Sequence, residues 1–400
     1  MTEANRAERY RWAVLGVFVL STSINYLDRQ TLASLAPLVK TEMALSNAQY
    51  GLILTAFSLT YALSAPFAGM LIDRIGLNRA ISLAVGLWSC AGVATGFTRS
   101  LAGLVACRAV LGIAEAGGIP AAGKAIHQYL RSGERAVGNA VNQAGVSLGA
   151  IAAPALATWI AVRSGWREAF VITGVLGLAW IPLWNWIAAG PGRPPTERVQ
   201  ALGLPYAEML RDRRLWAFVA ANALSMILYS LWTNWTTVYL VGVHHLTLVQ
   251  AAWYAWIPPV FAMAGGFTGG WASLRLVDRG VPARAARFRV CLACAILALA
   301  TALVPLASTA ATASAAISLS IFAVSAFSVN MYTLPLDTFG GGRAAFAVSM
   351  LVASYGAVQA IVSTLIGAVV DVHGYIPVTS VGALMPLAAC AVLWYTRSTR

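Results

Sequence analysis

Four charged side chains lie where an apolar solvent should surround them. Asp28, Arg29, Arg108 and Glu115 each stand well inside a long apolar run, and Lys124 stands nearer the end of one. An ionised group at the centre of a bilayer costs about 3 kcal/mol or more, so such groups pair with one another or do chemistry. Two acids and two arginines sum to zero charge. A carboxylate ligand docked on an arginine would leave the cluster one charge negative, and a proton added to Asp28 or Glu115 would restore neutrality. Burial opposes an ionised carboxylate and a neighbouring arginine favours it. Protonation is therefore linked to whether the arginine is held by a side chain or by the ligand. Arginine suits the ligand role because its planar fork holds a carboxylate through two parallel hydrogen bonds. On this reading Asp28 and Glu115 are the proton-coupling acids, and Arg29 and Arg108 bind the anion. The plainer reading is a salt bridge that only ties helices together.

Spacing adds the rest of the constellation. Asp28 lies eight residues before the outer end of its run and Arg108 eight residues after the outer start of another, so both sit about 12 Å deep and can meet. Glu115 follows Arg108 by two helical turns, on the same face and about 10 Å deeper. Asn25 precedes Asp28 by three residues on one face, and Asn139, Asn142 and Gln143 form an amide stripe at i, i+3 and i+4. The second half offers neutral groups: Tyr229, Thr233, Thr236 and Thr237 on one face with Asn234 beside them, then Asn330, then Tyr355 and Gln359 at i and i+4. Of these, Asn25, Asn142, Gln143, Asn234, Tyr355 and Gln359 join the arginines as ligand-binding candidates.

The elements that carry these residues are dictated by composition. The chain has 400 residues, 59% of them hydrophobic and only 10% charged, against about 25% charged in a soluble globular protein. A bilayer-crossing helix needs about 20 apolar residues. Twelve such segments occur, near 12–36, 50–72, 79–97, 100–128, 136–161, 168–188, 215–241, 250–274, 290–308, 311–335, 344–370 and 376–396. The fold class is an all-α membrane protein with twelve transmembrane helices in two six-helix halves, 1–189 and 215–400, joined by a Pro- and Arg-rich linker at 190–214. Such a 6+6 repeat is a transporter architecture, with its ligand site expected near the midplane between the halves.

Net charge is +13, but the basic residues cluster in short turns, which points to topology and not to nucleic acid. With the N-terminus placed in the cytoplasm, twenty Lys and Arg fall on the cytoplasmic side and four (Lys40, Arg99, Arg163 and Arg167) on the other. Both termini are therefore expected in the cytoplasm, in a bacterial inner membrane. The first apolar run lacks a small-residue cleavage site and is expected to stay as a helix. Two turns resemble each other across the halves: Gly69 to Arg79, with Asp73, Arg74 and Gly76, and Gly270 to Gly280, with Arg275, Asp278 and Arg279. Cys291 and Cys294 form a lone C-x-x-C inside an apolar segment, read as packing. The four histidines are scattered, with no metal or nucleophile motif, so neither an enzyme nor a cofactor is expected.

These residues carry a family resemblance. The 69–79 stretch is similar to the G-x-L-x-D-R-x-G-x-x-R loop of the major facilitator superfamily, and the likeness runs the whole length of the chain. More narrowly, the chain resembles the anion:cation symporter branch, which includes sialin-type carriers. Asn25-Tyr26-Leu27-Asp28-Arg29, Arg108 through Glu115-Ala116-Gly117 to Lys124, Glu134-Arg135, Asn142-Gln143-Ala144-Gly145 with Gly149, and Gly165-Trp166-Arg167 carry it. The first half looks most like hexuronate and sugar-acid carriers. The resemblance implies import of an organic anion with protons by a monomer in the bilayer, a gating role for Gly69, Asp73, Arg74, Gly76 and Arg79, and a place for Tyr61 near the ligand. It departs at Leu274, where an aspartate is usual, and at Ala353 and Ala357, where relatives carry asparagines toward sugar-acid hydroxyls. The competing classes are an anion exchanger or uniporter on the same fold and a multidrug exporter, whose pocket would favour acids over buried arginines.

Overall fold

The structure is a computed structural model that describes residues 3–130, 134–190, 206–339 and 341–398. Among the described residues every regular element is a helix. In chain order these are α1 (Glu3–Glu42), α2 (Asn47–Ile75), α3 (Leu77–Gly96), α4 (Leu101–Glu115), α5 (Gly118–Tyr129), α6 (Arg135–Ser164), α7 (Trp166–Ala188), α8 (Tyr206–Arg211), α9 (Arg213–His244), α10 (Leu248–Ala255), α11 (Ile257–Asp278) and α12 (Ala283–Ala298). A 3₁₀ stretch, Leu299–Leu306, continues α12, and α13 (Ala310–Phe339), α14 (Gly341–His373) and α15 (Tyr375–Ser398) follow. Nine helical segments among the described residues are long and apolar enough to cross a bilayer. The other three expected segments fall on α1, α2 and the α10–α11 pair. Of the expected linker, residues 191–205 lie outside the described residues.

Sequence reading predicts one continuous helix over 100–128, but the chain breaks after Glu115 and resumes at Gly118. Pro120 supplies the reason: it has no N–H to give the carbonyl of Ala116, and its ring crowds that carbonyl. Ala121 N–H restores the pattern by bonding Gly117 O at 2.9 Å. The segment expected at 250–274 breaks in the same way at Trp256, just before Pro258 and Pro259.

Contacts divide the chain into two compact units: Met1–Val39 with Ala56–Ala201, and Lys40–Thr55 with Leu202–Arg400. Residues 40–55 group with the second unit, unlike the boundary read from the sequence. The cause is local. Asp371 of α14 accepts hydrogen bonds from the Asn47 and Ala48 backbone N–H groups, at 3.0 and 2.8 Å, and from Asn47 Nδ2. Lys40 Nζ in turn donates to Asn47 Oδ1. Thr55 bonds the Ala360 carbonyl, and Tyr50 donates to the Asn234 carbonyl at 2.9 Å. Burial holds the Lys40 ammonium below its ordinary range, an effect that Asp371 partly offsets.

In the first unit, two glycines set how closely the site-bearing helices approach. A Cβ at Gly112 would run into the Phe57 carbonyl and the Thr60 hydroxyl, and one at Gly149 into the Ser23 carbonyl. Glycine thus lets α4 lie on α2 and α6 lie on α1. Trp180 and Trp184 stack at 5.4 Å and fill the space behind, with Phe18 edge-on to Trp184. In the second unit α11 packs on α13, where Gly265 and Gly269 meet the backbone at Phe322 and Ala326.

The two similar turns share one device. Gly76, between α2 and α3, and Gly280, between α11 and α12, both take φ of +84°, a left-handed conformation that glycine adopts without a Cβ penalty. Lys124 Nζ donates to the Ile72 carbonyl at 3.1 Å. It caps the last turn of α2, a favourable place for a cation.

A candidate anion site in the first unit

Asp28 and Arg29 lie in the second half of α1, Phe57 and Tyr61 on α2, Arg108 and Glu115 on α4, and Thr173 on α7. Arg29 and Glu115 form the central pair. Arg29 Nη2 and Nε both donate to Glu115 Oε2, at 2.6 and 3.1 Å. Glu115 Oε1 accepts no hydrogen bond and is buried, with the Asn25 amide beside the carboxylate. The arginine thus grips one oxygen with two donors, short of the parallel two-oxygen grip that a carboxylate and a guanidinium can form.

Three aromatic rings enclose the guanidinium. The Arg29 Cζ lies 4.7 Å from the centroid of Phe57, 5.0 Å from Tyr26 and 5.3 Å from Tyr61. Such faces attract the cation while leaving its in-plane N–H groups available. Accessibility separates Arg29 from the other charges. Its side chain is 22% exposed, whereas that of Glu115 is fully buried. Asp28 and Arg108 as whole residues are only 3% and 4% exposed.

Asp28 is the least satisfied group of the set. Both carboxylate oxygens are buried and accept no hydrogen bond. Thr173, Glu115 and Arg108 are the polar groups that act on it. An anion buried in that state is costly. Arg108 lies 5.6 Å from the Phe170 ring. The depth estimate, which set Asp28 against Arg108 and Glu115 a further 10 Å down, did not foresee that Glu115 would be held by Arg29.

The other sequence-derived candidates divide. Asn142 Oδ1 accepts from Thr22 Oγ1 at 3.0 Å, linking α6 to α1, while Gln143 beside it is exposed. The side chain of Asn139 lies outside the described residues, as does that of Asp73; Gly69 is half-buried at the end of α2, and Arg74 and Arg79 are exposed on either side of the Gly76 turn. In the second unit Asn234 donates Nδ2 to the Ser230 carbonyl one turn back, at 2.9 Å. Tyr355 meets Tyr229 edge-on at 6.1 Å, and Gln359 is buried one turn beyond. Asn330 gives Nδ2 to the Gly269 and Ala326 carbonyls, both at 3.0 Å, so its amide ties α13 to α11. Sequence reasoning assigned no role to Tyr26 and Phe57. Their spacing, three before Arg29 and four before Tyr61, was the available signal.

The description "Major Facilitator Superfamily" matches residues 18–350. The chain belongs to the major facilitator superfamily. It is therefore a multi-pass membrane transporter and not an enzyme. The hexuronate transporter of Escherichia coli (strain K12) is 28% identical over 403 residues, covering 96% of this chain and 93% of that protein. The galacturonate transporter of Dickeya chrysanthemi is 29% identical over 280 residues, covering 65% of this chain and 81% of that protein. The probable sulfoacetate transporter of Cupriavidus necator (strain ATCC 17699 / DSM 428 / KCTC 22496 / NCIMB 10442 / H16 / Stanier 337) is 28% identical over 408 residues, covering 96% and 93%. Among solved structures, a bacterial homolog to the human lysosomal transporter Spinster, in an inward-facing and occupied conformation, matches with a TM-score of 0.80 at 22% identity, over 98% of this chain and 97% of that one. That likeness shows a shared fold.

Proposed function

We propose that this transporter imports an organic carboxylate, a sugar acid of the hexuronate class, together with a proton. The observation that carries the reading is the state of Arg29: an accessible arginine, caged by three rings, whose present carboxylate partner uses a single oxygen. A ligand carboxylate approaching Arg29 competes with Glu115 for the same donors. Glu115, once released into a buried setting, is stabilised by taking a proton, with Asp28 on the neighbouring helix as the second acceptor. Anion and proton then cross together, because either alone leaves an uncompensated buried charge. The hexuronate and galacturonate transporters among the relatives support the substrate class. The probable sulfoacetate transporter favours a second reading, a smaller organic anion on the same arginine.

Tyr61, Asn25 and Arg108 complete the proposed site in the first unit. The proposed setting is a bacterial inner membrane with both termini cytoplasmic, which cysteines introduced at Thr196 or Gln200 test: they label from the cytoplasmic side only. Function is tested in proteoliposomes with labelled D-galacturonate. Accumulation above equilibrium driven by an imposed pH gradient, and collapsed by a protonophore, is the expected result. Transport indifferent to the gradient would leave a uniporter or an exchanger.

A further inference from the structure

A second feature lies away from these charges, in the second unit. α11 and α12 both pack on α13 and leave a groove between them, a cavity of about 360 Å³. Its walls repeat at helical spacing. Ala272 and Leu276 are one turn apart on α11, and Arg289, Ala293 and Leu297 follow at i, i+4 and i+8 on α12, with Phe322 of α13 on the floor. Small residues at 272 and 293 make it a groove where larger ones would close it. From Arg289 to Leu297 is about 12 Å along the helix, close to the roughly 15 Å of hydrocarbon in one leaflet.

The outer lips are apolar and exposed: Trp271, Leu274 and Ile296 are each more than half accessible. In a membrane-spanning chain that surface meets lipid tails. One end of the groove is different in kind. Arg289 lies there exposed, with no carboxylate partner among the described residues. The nearby Arg287, by contrast, is committed to Asp337 at 2.9 Å and to Ser273 Oγ at 2.8 Å. Arg275, Arg279 and Arg284 make the same turn strongly basic. An apolar trough one leaflet long, ending in an uncompensated arginine, matches one membrane component: an acyl chain joined to a phosphate.

We propose that this groove is a binding site for an anionic phospholipid, with an acyl chain between α11 and α12 and the headgroup phosphate on Arg289. The preference for a net negative headgroup comes from the surplus of arginines around the turn. The site is independent of the substrate assignment at Arg29.

Native mass spectrometry of the full-length protein in detergent tests it, with phosphatidylglycerol and phosphatidylcholine of identical acyl chains as probes. The expected result is a tightly held phosphatidylglycerol adduct that forms at about fivefold lower lipid concentration than the phosphatidylcholine adduct. Arg289→Gln should abolish that preference, while Arg279→Gln, in the same turn but outside the groove, should keep most of it. Ala293→Leu, which narrows the trough, should weaken both lipids. Arg289 is exposed, so its variant should keep the wild-type melting temperature. Equal binding of the two lipids by the wild type, or an unchanged preference in Arg289→Gln, would overturn the proposal.

Discussion

The two units bury polar groups of different kinds. In the second, Asn222, Asn234 and Asn330 are neutral, and each gives its amide nitrogen to a backbone carbonyl, at 2.8, 2.9 and 3.0 Å. Incomplete bonding is common to both: Asn222 and Asn330 leave their amide oxygens unbonded, as Asp28 leaves both carboxylate oxygens and Glu115 one. What distinguishes Asp28 and Glu115 in the first is that their unbonded oxygens belong to ionisable groups, which can take up a proton. The Asn222 and Asn330 amides tie α9 to α14 and α13 to α11, while that of Asn234 bonds within its own helix. A half-satisfied carboxylate on an accessible arginine is ready to change partners. The comparison therefore separates polar residues that hold the fold from those proposed to move the substrate.

The largest effect should follow from Arg29. Arg29→Ala leaves Glu115 buried without its partner, a loss of about 3–5 kcal/mol in stability, and should abolish anion binding. Arg29→Lys keeps the charge but loses the fork; the protein should fold, and ligand-induced thermal shift should report at least a tenfold weaker affinity. Were Arg108→Lys to lose binding while Arg29→Lys retained it, the roles of the two arginines would be exchanged.

Next come the two acids. Glu115→Gln should bind the anion as well as wild type or better, because the competitor for Arg29 is gone, yet fail to accumulate it against a gradient. Asp28→Asn should be as stable as wild type or more so, since a buried carboxylate whose oxygens accept no hydrogen bond becomes a neutral amide. Its uptake should lose its dependence on the pH gradient. Thermal melts and uptake across a pH series read both.

A smaller effect is expected from the second unit. Asn330→Ala removes a buried helix-to-helix tie and should cost about 1–2 kcal/mol, with transport per folded molecule unchanged. Loss of transport in a well-folded Asn330→Ala protein would break the comparison.

The smallest effect lies at the start of α9. Asp212 accepts from the Arg214 N–H at 2.8 Å and pairs with its guanidinium, which holds the carboxyl below its ordinary range. A depressed carboxyl contributes stability that is present above the unfolded value, about 3.9, and is lost as pH falls through the folded one. Asp212→Asn should therefore lower the melting temperature slightly at neutral pH and leave it unchanged in strong acid.

The architecture was legible because lipid imposes a length on each span. All twelve apolar segments fall on helices, two of them interrupted by a break, and the four charges within them stand out. The break after Glu115 was written in Gly117-Gly118-Ile119-Pro120, but a long apolar run hides a break when only length is weighed. The ion pair was less legible. Backbone depth alone set Asp28 against Arg108, while the long arm of Arg29 reaches across to Glu115. The ring cage combines Tyr26 of α1 with Phe57 and Tyr61 of α2, and no spacing within one helix announces that they meet.

The central claim is that the anion takes Arg29 from Glu115 and that a proton fills the vacancy. Calorimetric titration of the purified transporter with D-galacturonate, in two buffers of different ionisation enthalpy, counts protons taken up per anion bound. The account predicts about one proton per anion near neutral pH for the wild type, and none for the Asp28→Asn/Glu115→Gln double variant, which should still bind. Binding by the wild type with no proton uptake, or an unchanged uptake in the double variant, would contradict it.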